Sequence, residues 1–510
     1  MSAIEILRQV DNEECGRRIL SGVTSPKATL LLASLGMTGI RLRRSFRAMT
    51  HKECSPLVVP VCLLFAVALA LAVPASAEWK EKVLNSFQGG TNDGALPVGG
   101  VVFGTQGNLY GVLQFYGPGS CGPIGNECGA VFQLAPPAHQ GDPLTETLIY
   151  EFQGKGGNDG ESPNGGLVID GQGNLYGVTA YGGTGDCVLL GVSAGCGTVY
   201  ELSPPAEKGG AWKETILYSF PTAKQGYVPN GNLVFDGAGN LYGATTYGGG
   251  KGTTCDSFYQ YCGAMFELSR PKTKGGKWTE KVLHAFASGT DGANPNGGLV
   301  FDSKGAIYGT TYGGGFEGGD CGSGGCGTVF ELKPPTKKSG AWAEKILHRF
   351  ESSSDGGGPS AGVVFDKEGT LYGTTVGGGA GNSPWGTVFT VIPSANGSWT
   401  EHLLHTFQDG DDGAEPRAGL VFDTEGNIYG TASIGGGPDF AGTLFRLKKN
   451  PAGRRTFAVL YSFKGVNNGD GAFPAGDIVL RAGSIFGTTQ VGGTGQSCQG
   501  GCGTVFEVSP

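Results

Sequence analysis

The stretch "GGLVFDSKGAIYGTTYGGG", from Gly297 to Gly315, contains the pattern that is repeated along most of the chain. It has the form of a short apolar strand, a tight Asp-x-x-Gly turn, a second strand and a run of glycines. Close or degenerate copies of this motif recur at intervals of 57 to 66 residues. Their opening positions are Gly100, Gly166, Asn232, Gly298, Gly362, Gly419 and Gly476.

Two further apolar segments flank each copy. The segment before it ends in Phe, as in "WTEKVLHAF", and the segment after it has the form "GTVFEL". No stretch has a helical period, so each unit holds four short strands. Four antiparallel strands with tight connections make one propeller blade. We therefore predict an all-β fold, a seven-bladed β-propeller of four-stranded blades over residues 78–510. An open β-solenoid is the alternative, but solenoid coils are usually shorter and end in atypical caps.

The strand order within a unit resembles that of NHL-type propellers, whose inner two strands carry a phrase of the form GVAVD-xx-GNIYVAD. This resemblance implies that "GLVFD" is the innermost strand, "LYGTT" the second, "GTVFEL" the third and "EKVLHAF" the outermost. Residues Trp79–Phe87 then supply the outer strand of the last blade, beside Thr504–Val508. The propeller is thus expected to be closed by its N-terminal strand, without a free edge.

The alternating strand directions predict two different faces. On the hairpin face lie the first-to-second and third-to-fourth connections, and on the loop face lie the longer second-to-third and fourth-to-first connections. Five of the seven first-to-second turns contain an Asp, which we expect to cap its own turn. These residues are Asp170, Asp236, Asp302, Asp366 and Asp423.

The loop face carries the candidate binding residues, because loops on a rigid scaffold commonly bind ligands. Six of its seven fourth-to-first loops contain an Asp-Gly pair, and the third unit has Gln-Gly instead. We expect the six carboxylates to lie around the mouth of the central channel, although turn formation explains them about as well. Tyr181, Tyr247 and Tyr312 are candidates for stacking on sugar rings, although Tyr also simply packs loops. The loop aspartates are Asp93, Asp159, Asp291, Asp355, Asp412 and Asp470.

Ten of the 13 cysteines lie in the second-to-third loops, as five pairs that are present or absent together. In a secreted protein this pattern predicts disulfides within loops. A zinc site would need four ligands together, and no His lies near the pairs, so we assign no metal ligand. The pairs are Cys121/Cys128, Cys187/Cys196, Cys255/Cys262, Cys321/Cys326 and Cys498/Cys502.

His284, His348 and His405 share one position of the outer strand. The other units have Asn85, Tyr150, Tyr218 and Tyr461 there. Alternation of His with Tyr predicts a half-exposed packing position rather than a catalytic set. Common catalytic and nucleotide-binding motifs are absent from the sequence, so we assign no catalytic residue and identify no cofactor.

Residues 1–77 have the form of a secretory signal. An apolar run, Leu57–Val73, follows basic residues and precedes "PASA", which predicts cleavage after Ala77. A membrane anchor is the alternative, but the internal prolines and the small residues at the exit favour cleavage. Met49 is a candidate start, with residues 1–48 as an extension. Since no second apolar span or sorting tail follows, we expect a secreted or periplasmic protein that is released rather than anchored.

The whole segment Trp79–Pro510 resembles the bacterial choice-of-anchor tandem-repeat family known as GloVer. The resemblance rests on "GGLVFD-xx-GxxYGTT-xGG" followed by "GTVFEL". It implies an exported bacterial repeat protein, and it brings no substrate or catalytic residue. We expect the chain to depart from the family in having no sorting tail.

Two classes of function remain. One is a binding or structural module that presents a glycan- or protein-binding loop face, and the other is an extracellular glycan hydrolase or lyase with its site at the channel mouth. The interchangeable units and the lack of a catalytic motif favour binding. The net charge of −8 and the absence of a basic stripe argue against nucleic acid as a partner. We expect a monomer.

Overall fold

The computed structural model describes residues 78–510, apart from 91–92, 117–127, 138, 140, 190, 208, 250–261, 274, 316–320, 322–323, 338–339 and 380–383. The predicted signal segment, residues 1–77, lies outside the described residues. The propeller unit spans Trp79–Pro510. Its seven blades each have an inner, a second, a third and an outer strand, all antiparallel, as the repeat predicts.

The strand bounds follow in the order inner, second, third and outer. The first blade is Gly94–Phe103, Leu109–Tyr116, Ala130–Ala135 and Thr145–Glu151. The second blade is Gly160–Pro163 with Val168–Ile169, Leu175–Gly182, Thr198–Ser203 and Lys213–Ser219. The third blade is Tyr227–Phe235, Leu241–Tyr247, Ala264–Ser269 and Thr279–Ala285. The fourth blade is Ala293–Pro295 with Val300–Phe301, Ile307–Gly313, Thr328–Lys333 and Ala343–Arg349.

The remaining blades have shorter inner strands. The fifth blade is Val364–Phe365, Leu371–Thr375, Thr387–Pro393 and Trp399–Thr406. The sixth is Val421–Phe422, Ile428–Ala432, Thr443–Lys449 and Arg455–Ser462. The seventh is Val479–Arg481, Ser484–Thr489, Thr504–Ser509 and Lys80–Ser86. Short additional elements are the 3-10 turns Thr105–Gly107, Lys155–Gly157, Gly289–Asp291 and Val466–Asn468, and the paired segments Val188–Leu189 with Val192–Ser193 and Gly471–Ala472 with Val491–Gly492.

The N-terminal strand closes the ring. Lys80–Ser86 is the outer strand of the seventh blade and pairs antiparallel with Thr504–Ser509, with Lys80 opposite Ser509. The predicted order of strands within the ring is therefore confirmed. The pairing gives the last third strand a partner and leaves it no open edge.

The hydrophobic core lies between neighbouring blades. The Phe that follows each outer strand packs against an aromatic ring in the third strand of the next blade, as Phe87 does on Phe132 with ring centroids 5.0 Å apart. Edge-to-face pairs of this kind contribute about 0.5–1.5 kcal/mol beyond their burial. The other six pairs are Phe152–Tyr200, Phe220–Phe266, Phe286–Phe330, Phe350–Phe389, Phe407–Phe445 and Phe463–Phe506. The sequence period thus encodes one repeated interface.

A backbone hydrogen bond also joins each blade to the preceding one. The residue before the Pro of each inner strand generally has a left-handed backbone conformation. Its N–H donates a hydrogen bond to a carbonyl oxygen of the preceding blade, in the residue two positions before that blade's third strand. Val228, with φ 55°, donates in this way to the Cys196 carbonyl at 3.3 Å. This backbone conformation is strained for a β-branched residue, and the junction between blades holds it in place. The equivalent pairs are Leu96–Cys502, Ser162–Cys128, Asn294–Cys262, Gly358–Cys326, Glu415–Trp385 and Phe473–Ala441.

Candidate functional site

Glycine backbone narrows the centre of the propeller. A Cβ atom on Gly362 would lie 2.0 Å from the Gly298 carbonyl oxygen, and one on Gly476 would lie 1.8 Å from that of Gly99. Only glycine allows the inner strands to approach so closely. Across the axis, the Asn232 side chain donates to the Asp477 carboxylate at 2.7 Å. The repeated Gly pairs of the sequence therefore form the constriction at the axis.

A recess of about 350 Å³ lies beside this constriction. Pro163 pairs with Thr179 near the end of the second strand, so the next residue, Asn164, lies on the loop-face half of the inner strand. The corresponding residue of every blade lines the recess. These residues are Val98, Asn164, Asn230, Asn296, Ser360, Arg417 and Ala475.

The recess is lined mainly by hydrogen-bonding groups. In addition to Asn164, Asn230 and Asn296 it contains Asn232, Gln490 and Asp477. The Asn230 amide donates to the Asn296 side chain. Arg417 lies 2.6 Å from the Glu415 carboxylate, which balances its charge. The arrangement offers many donors and acceptors and little net charge.

Both oxygens of the Asp477 carboxylate accept hydrogen bonds from the protein itself. One oxygen accepts from Asn232 and the other from the Gly419 N–H, each at 2.7 Å. Asp477 is the one carboxylate in the lining that the structure describes. The described lining therefore offers no second carboxyl group to pair with it.

A second recess, of about 380 Å³, lies on the hairpin face between the second and third blades. Its lining includes the turns at Asp170 and Asp236, together with Arg270 and Trp278. Both carboxylates accept hydrogen bonds within their own turns. This cleft offers an aromatic ring and a guanidinium, but its acidic groups are engaged.

All five hairpin aspartates cap their own turns, as the sequence predicts. Asp302 Oδ1 accepts the N–H groups of Lys304 and Ala306, each at 2.8 Å. In Asp170, burial acts to raise the pKa, but hydrogen bonds from Asn174 and its neighbours outweigh burial and lower the pKa. The same pair of backbone bonds is present at Asp170, Asp236, Asp366 and Asp423.

The loop aspartates do not ring the channel mouth. Asp159 accepts a hydrogen bond from the Tyr150 hydroxyl at 2.8 Å, and Asp470 accepts one from the Tyr461 hydroxyl at 2.6 Å. Both tyrosines are on outer strands. The loop runs from the outer strand towards the axis, and the Asp stands near its outer end, seven to nine residues after the His, Tyr or Asn position. The same placement applies to Asp93, Asp291, Asp355 and Asp412.

A Glu that recurs in the outer strand lies at five of these six interblade junctions. Burial, together with the charge of Asp159, raises the pKa of Glu214 to about 8. Burial and a hydrogen bond to Asp291 raise the pKa of Glu344 to about 9. Both carboxyl groups are therefore harder to ionise than that of an exposed Glu. Six units contain the residue, as Glu81, Glu146, Glu214, Glu280, Glu344 and Glu401.

The three outer-strand histidines face loop aspartates across the junctions. The Nε2 atoms of His284, His348 and His405 lie 3.4, 2.8 and 2.9 Å from carboxylate oxygens of the Asp seven residues later. Their side chains are 19–20% exposed. The histidine side chains are largely buried at a packing position, as expected, but each also has a carboxylate partner that the sequence did not predict. The fixed spacing from His to Asp-Gly was the available signal.

The three candidate tyrosines lie at the ends of second strands. Tyr312 is 45% exposed. Tyr247 stacks on Tyr227 with ring centroids 5.4 Å apart. Burial, with Tyr247 and Glu161 as neighbours, raises the pKa of Tyr181. Tyr312 therefore presents the most open ring of the three.

Three predicted loop disulfides are confirmed within the described residues. They join Cys187 to Cys196, Cys321 to Cys326 and Cys498 to Cys502, with Cα–Cα distances of 5.0, 5.1 and 5.2 Å. Disulfides of this kind are typical of oxidising compartments. Cys128 and Cys262 are also disulfide-bonded, and their predicted partners, Cys121 and Cys255, lie outside the described residues. In the part of the chain that the structure covers, we find no helix of sufficient length and hydrophobicity to span a membrane.

A family model described as the Gloeobacter/Verrucomicrobia repeat matches residues 74–255 and 319–510, more than half of the chain. The match confirms the resemblance inferred from the repeated phrase. No curated protein matches the sequence.

Solved structures show similarity at a low level. The PQQ-bound aldose sugar dehydrogenase of Streptomyces coelicolor is 14% identical with a TM-score of 0.38, over 85% of this chain and 98% of that one. A gluconolactonase of Xanthomonas campestris is 14% identical with a TM-score of 0.32, over 61% of this chain and 78% of that one. Similarities of this size carry no information about activity.

Proposed function

The chain belongs to the Gloeobacter/Verrucomicrobia repeat family, and we propose that it is an exported glycan-binding module whose site is the central recess of the loop face. One observation carries the proposal: every blade contributes a variable residue, directly after the same inner-strand Pro, to a single recess. The surrounding Pro and Gly positions repeat because the fold needs them. The variable positions hold Val, Asn, Asn, Asn, Ser, Arg and Ala in chain order.

The chemistry of the recess suits a neutral glycan. A carboxamide donates and accepts at once, as a sugar hydroxyl does, so Asn164, Asn296 and Gln490 match a polyol surface. Glu415 balances the charge of Arg417, which disfavours a strongly anionic ligand. Export is supported by the signal-like segment and by the disulfides.

The hydrolase or lyase alternative has less support. Glycoside hydrolysis commonly uses two carboxyl groups about 5–10 Å apart. Asp477 is the one carboxyl group in the described lining of the recess, and both of its oxygens accept hydrogen bonds from neighbouring protein groups. A binding role needs no such pair.

Binding to a glycan array tests the proposal. We expect the wild-type protein to bind a restricted set of neutral glycans, and the double variant Asn164→Ala/Asn296→Ala to bind them at least about tenfold more weakly. The control Arg270→Ala, on the hairpin face, should bind like wild type, and melting curves should show that both variants fold. Equal binding by the double variant, or no glycan binding at all, would refute the proposal. Release of shorter sugars from the same glycans would support the enzyme alternative instead.

A further inference from the structure

We propose that two of the seven interblade junctions bind a divalent transition-metal ion, for which Zn²⁺ is the best match. The first site, between the third and fourth blades, consists of His284, Asp291 and Glu344. The second, between the fourth and fifth blades, consists of His348, Asp355 and Glu401. In each trio the candidate ligand atoms all lie within 4.8 Å of one another.

The first trio has the dimensions of a metal site. His284 Nε2 lies 3.4 Å from Asp291 Oδ1 and 3.6 Å from Glu344 Oε1. Zn²⁺ binds nitrogen and oxygen at about 2.0–2.2 Å, so two ligands of a tetrahedral ion lie about 3.3–3.5 Å apart. The observed separations match this spacing and are long for hydrogen bonds.

Two of these atoms are buried without a hydrogen-bond partner in the part of the chain that the structure describes. They are His284 Nε2 and Glu344 Oε1, which face each other across the junction. Among the described residues the same Glu oxygen is also unpartnered at Glu81, Glu214 and Glu280, where the junction has Tyr in place of His. The imidazole, rather than the Glu alone, therefore distinguishes the metal-binding junctions. A cation at the centre of the trio would satisfy both atoms.

The second trio brings together the same three residue types, but its imidazole is hydrogen-bonded directly to the Asp carboxylate. His348 Nε2 lies 2.8 Å from Asp355 Oδ2, and Glu401 Oε1 is buried without a hydrogen bond among the described residues. The other oxygen of each Asp is held by backbone: Asp355 Oδ1 accepts from the Glu351 N–H at 2.8 Å, and Asp291 Oδ2 accepts from the Ala287 N–H at 2.7 Å. Hydrogen bonds of this kind commonly orient ligating carboxylates.

The ligand set points to a transition metal. Ca²⁺ and Mg²⁺ prefer shells made entirely of oxygen, whereas imidazole with carboxylates suits Zn²⁺ and related ions. Three protein ligands leave a position for water. Because the ligands come from the outer strands of two blades and the loop between them, the ion would link neighbouring blades.

The third His junction provides a natural control. His405 lies 2.9 Å from Asp412, but Phe457 occupies the place of the Glu and stacks on the imidazole with ring centroids 3.6 Å apart. Two ligands remain, and we expect no tight ion there. The Tyr150–Asp159 junction shows, in addition, that the fold accepts Tyr at the His position.

The experiment counts zinc ions on the intact protein. Chelator-treated protein is titrated with Zn²⁺ by calorimetry, and the bound metal is measured by mass spectrometry after dialysis. We expect wild type to retain two more ions per chain than His284→Tyr/His348→Tyr. Each single variant should lose one ion, and His405→Tyr should lose none. Zn²⁺ should also raise the melting temperature of wild type and leave that of the double variant unchanged.

Equal zinc content in wild type and the double Tyr variant would overturn the proposal, as would loss of an ion from His405→Tyr. Melting of the metal-free proteins shows whether the variants fold. If the double Tyr variant does not fold, Glu344→Gln/Glu401→Gln replaces it, with the same loss of two ions expected and an unchanged count overturning the proposal. Neither pair lines the central recess, so this result and that of the glycan experiment are independent.

Discussion

The glutamates at the interblade junctions illustrate how position changes the chemistry of a single residue. An exposed Glu titrates near pH 4.3, whereas burial and the charge of Asp159 raise the pKa of Glu214 to about 8. Between these values the folded protein holds a proton that the unfolded chain releases. Stability contributed by this group is therefore present at low pH and is lost as the pH rises through the folded pKa.

The substitution Glu214→Gln should reduce this loss. Gln keeps the shape of the protonated acid but does not ionise, so the variant should lose less unfolding free energy than wild type between about pH 5 and pH 8. Urea unfolding at both pH values measures the difference, with the exposed Glu207→Gln as the matched control. Parallel changes in wild type and Glu214→Gln would show that the carboxyl is not proton-bound.

The sequence predicted the hairpin aspartates but not the location of the loop aspartates. An Asx turn such as that of Asp302 is a local structure, so its sequence contains the whole interaction. The partners of Asp291 are His284, on the outer strand of the third blade, and Glu344, on the outer strand of the fourth blade. The first lies near in sequence, but the second is brought close only by the folded blade. A Glu recurring within an apolar strand was the signal that such a partner exists.

At the level of strands, the repeat identified all four strands of each blade but not the full length of the inner one. The inner strand of the second blade already begins at Gly160, before the Pro, and continues as Val168–Ile169 after the glycine pair. The left-handed residue before the Pro and its hydrogen bond to the preceding blade shape this segment. Neither feature is visible within a single unit, because the bond joins two units.

Removal of the outer strand of the seventh blade, residues 79–87, should destabilise the propeller. The deletion exposes the edge of Thr504–Ser509 and removes Phe87, whose loss alone corresponds to about 3–5 kcal/mol for a buried Phe. We expect a lower melting temperature and aggregation in size-exclusion chromatography. A chain lacking only residues 1–77 is the control. Equal melting of the two chains would contradict the closure described above.

For the whole molecule, closure of the ring depends on backbone contacts at the axis. Seven inner strands meet there, and the sequence shows this requirement only as recurring glycines. A Cβ on Gly297 would lie 2.2 Å from the Gly362 nitrogen. The count of blades was predictable because the period is regular, whereas the shape of the axial recess depends on contacts between distant units, such as Asn232 with Asp477.

The substitution Gly362→Ala should therefore lower the unfolding free energy by about 3 kcal/mol or more, the upper range for overpacking. Its new Cβ would meet the Gly298 carbonyl oxygen at 2.0 Å. Gly237→Ala is the matched control, since nothing lies within 4 Å of its Cβ and its turn is exposed. Thermal and urea unfolding give the comparison. A small effect at Gly362 would mean that the inner strands do not meet as closely as described.

The most direct test of the central claim is a crystal structure of the protein with the best-binding glycan from the array. We predict the sugar in the loop-face recess, with its hydroxyls hydrogen-bonded to Asn164, Asn296 and Arg417. A glycan seated instead in the hairpin-face cleft, against Arg270 and Trp278, would contradict the claim that the site lies where the seven blades meet.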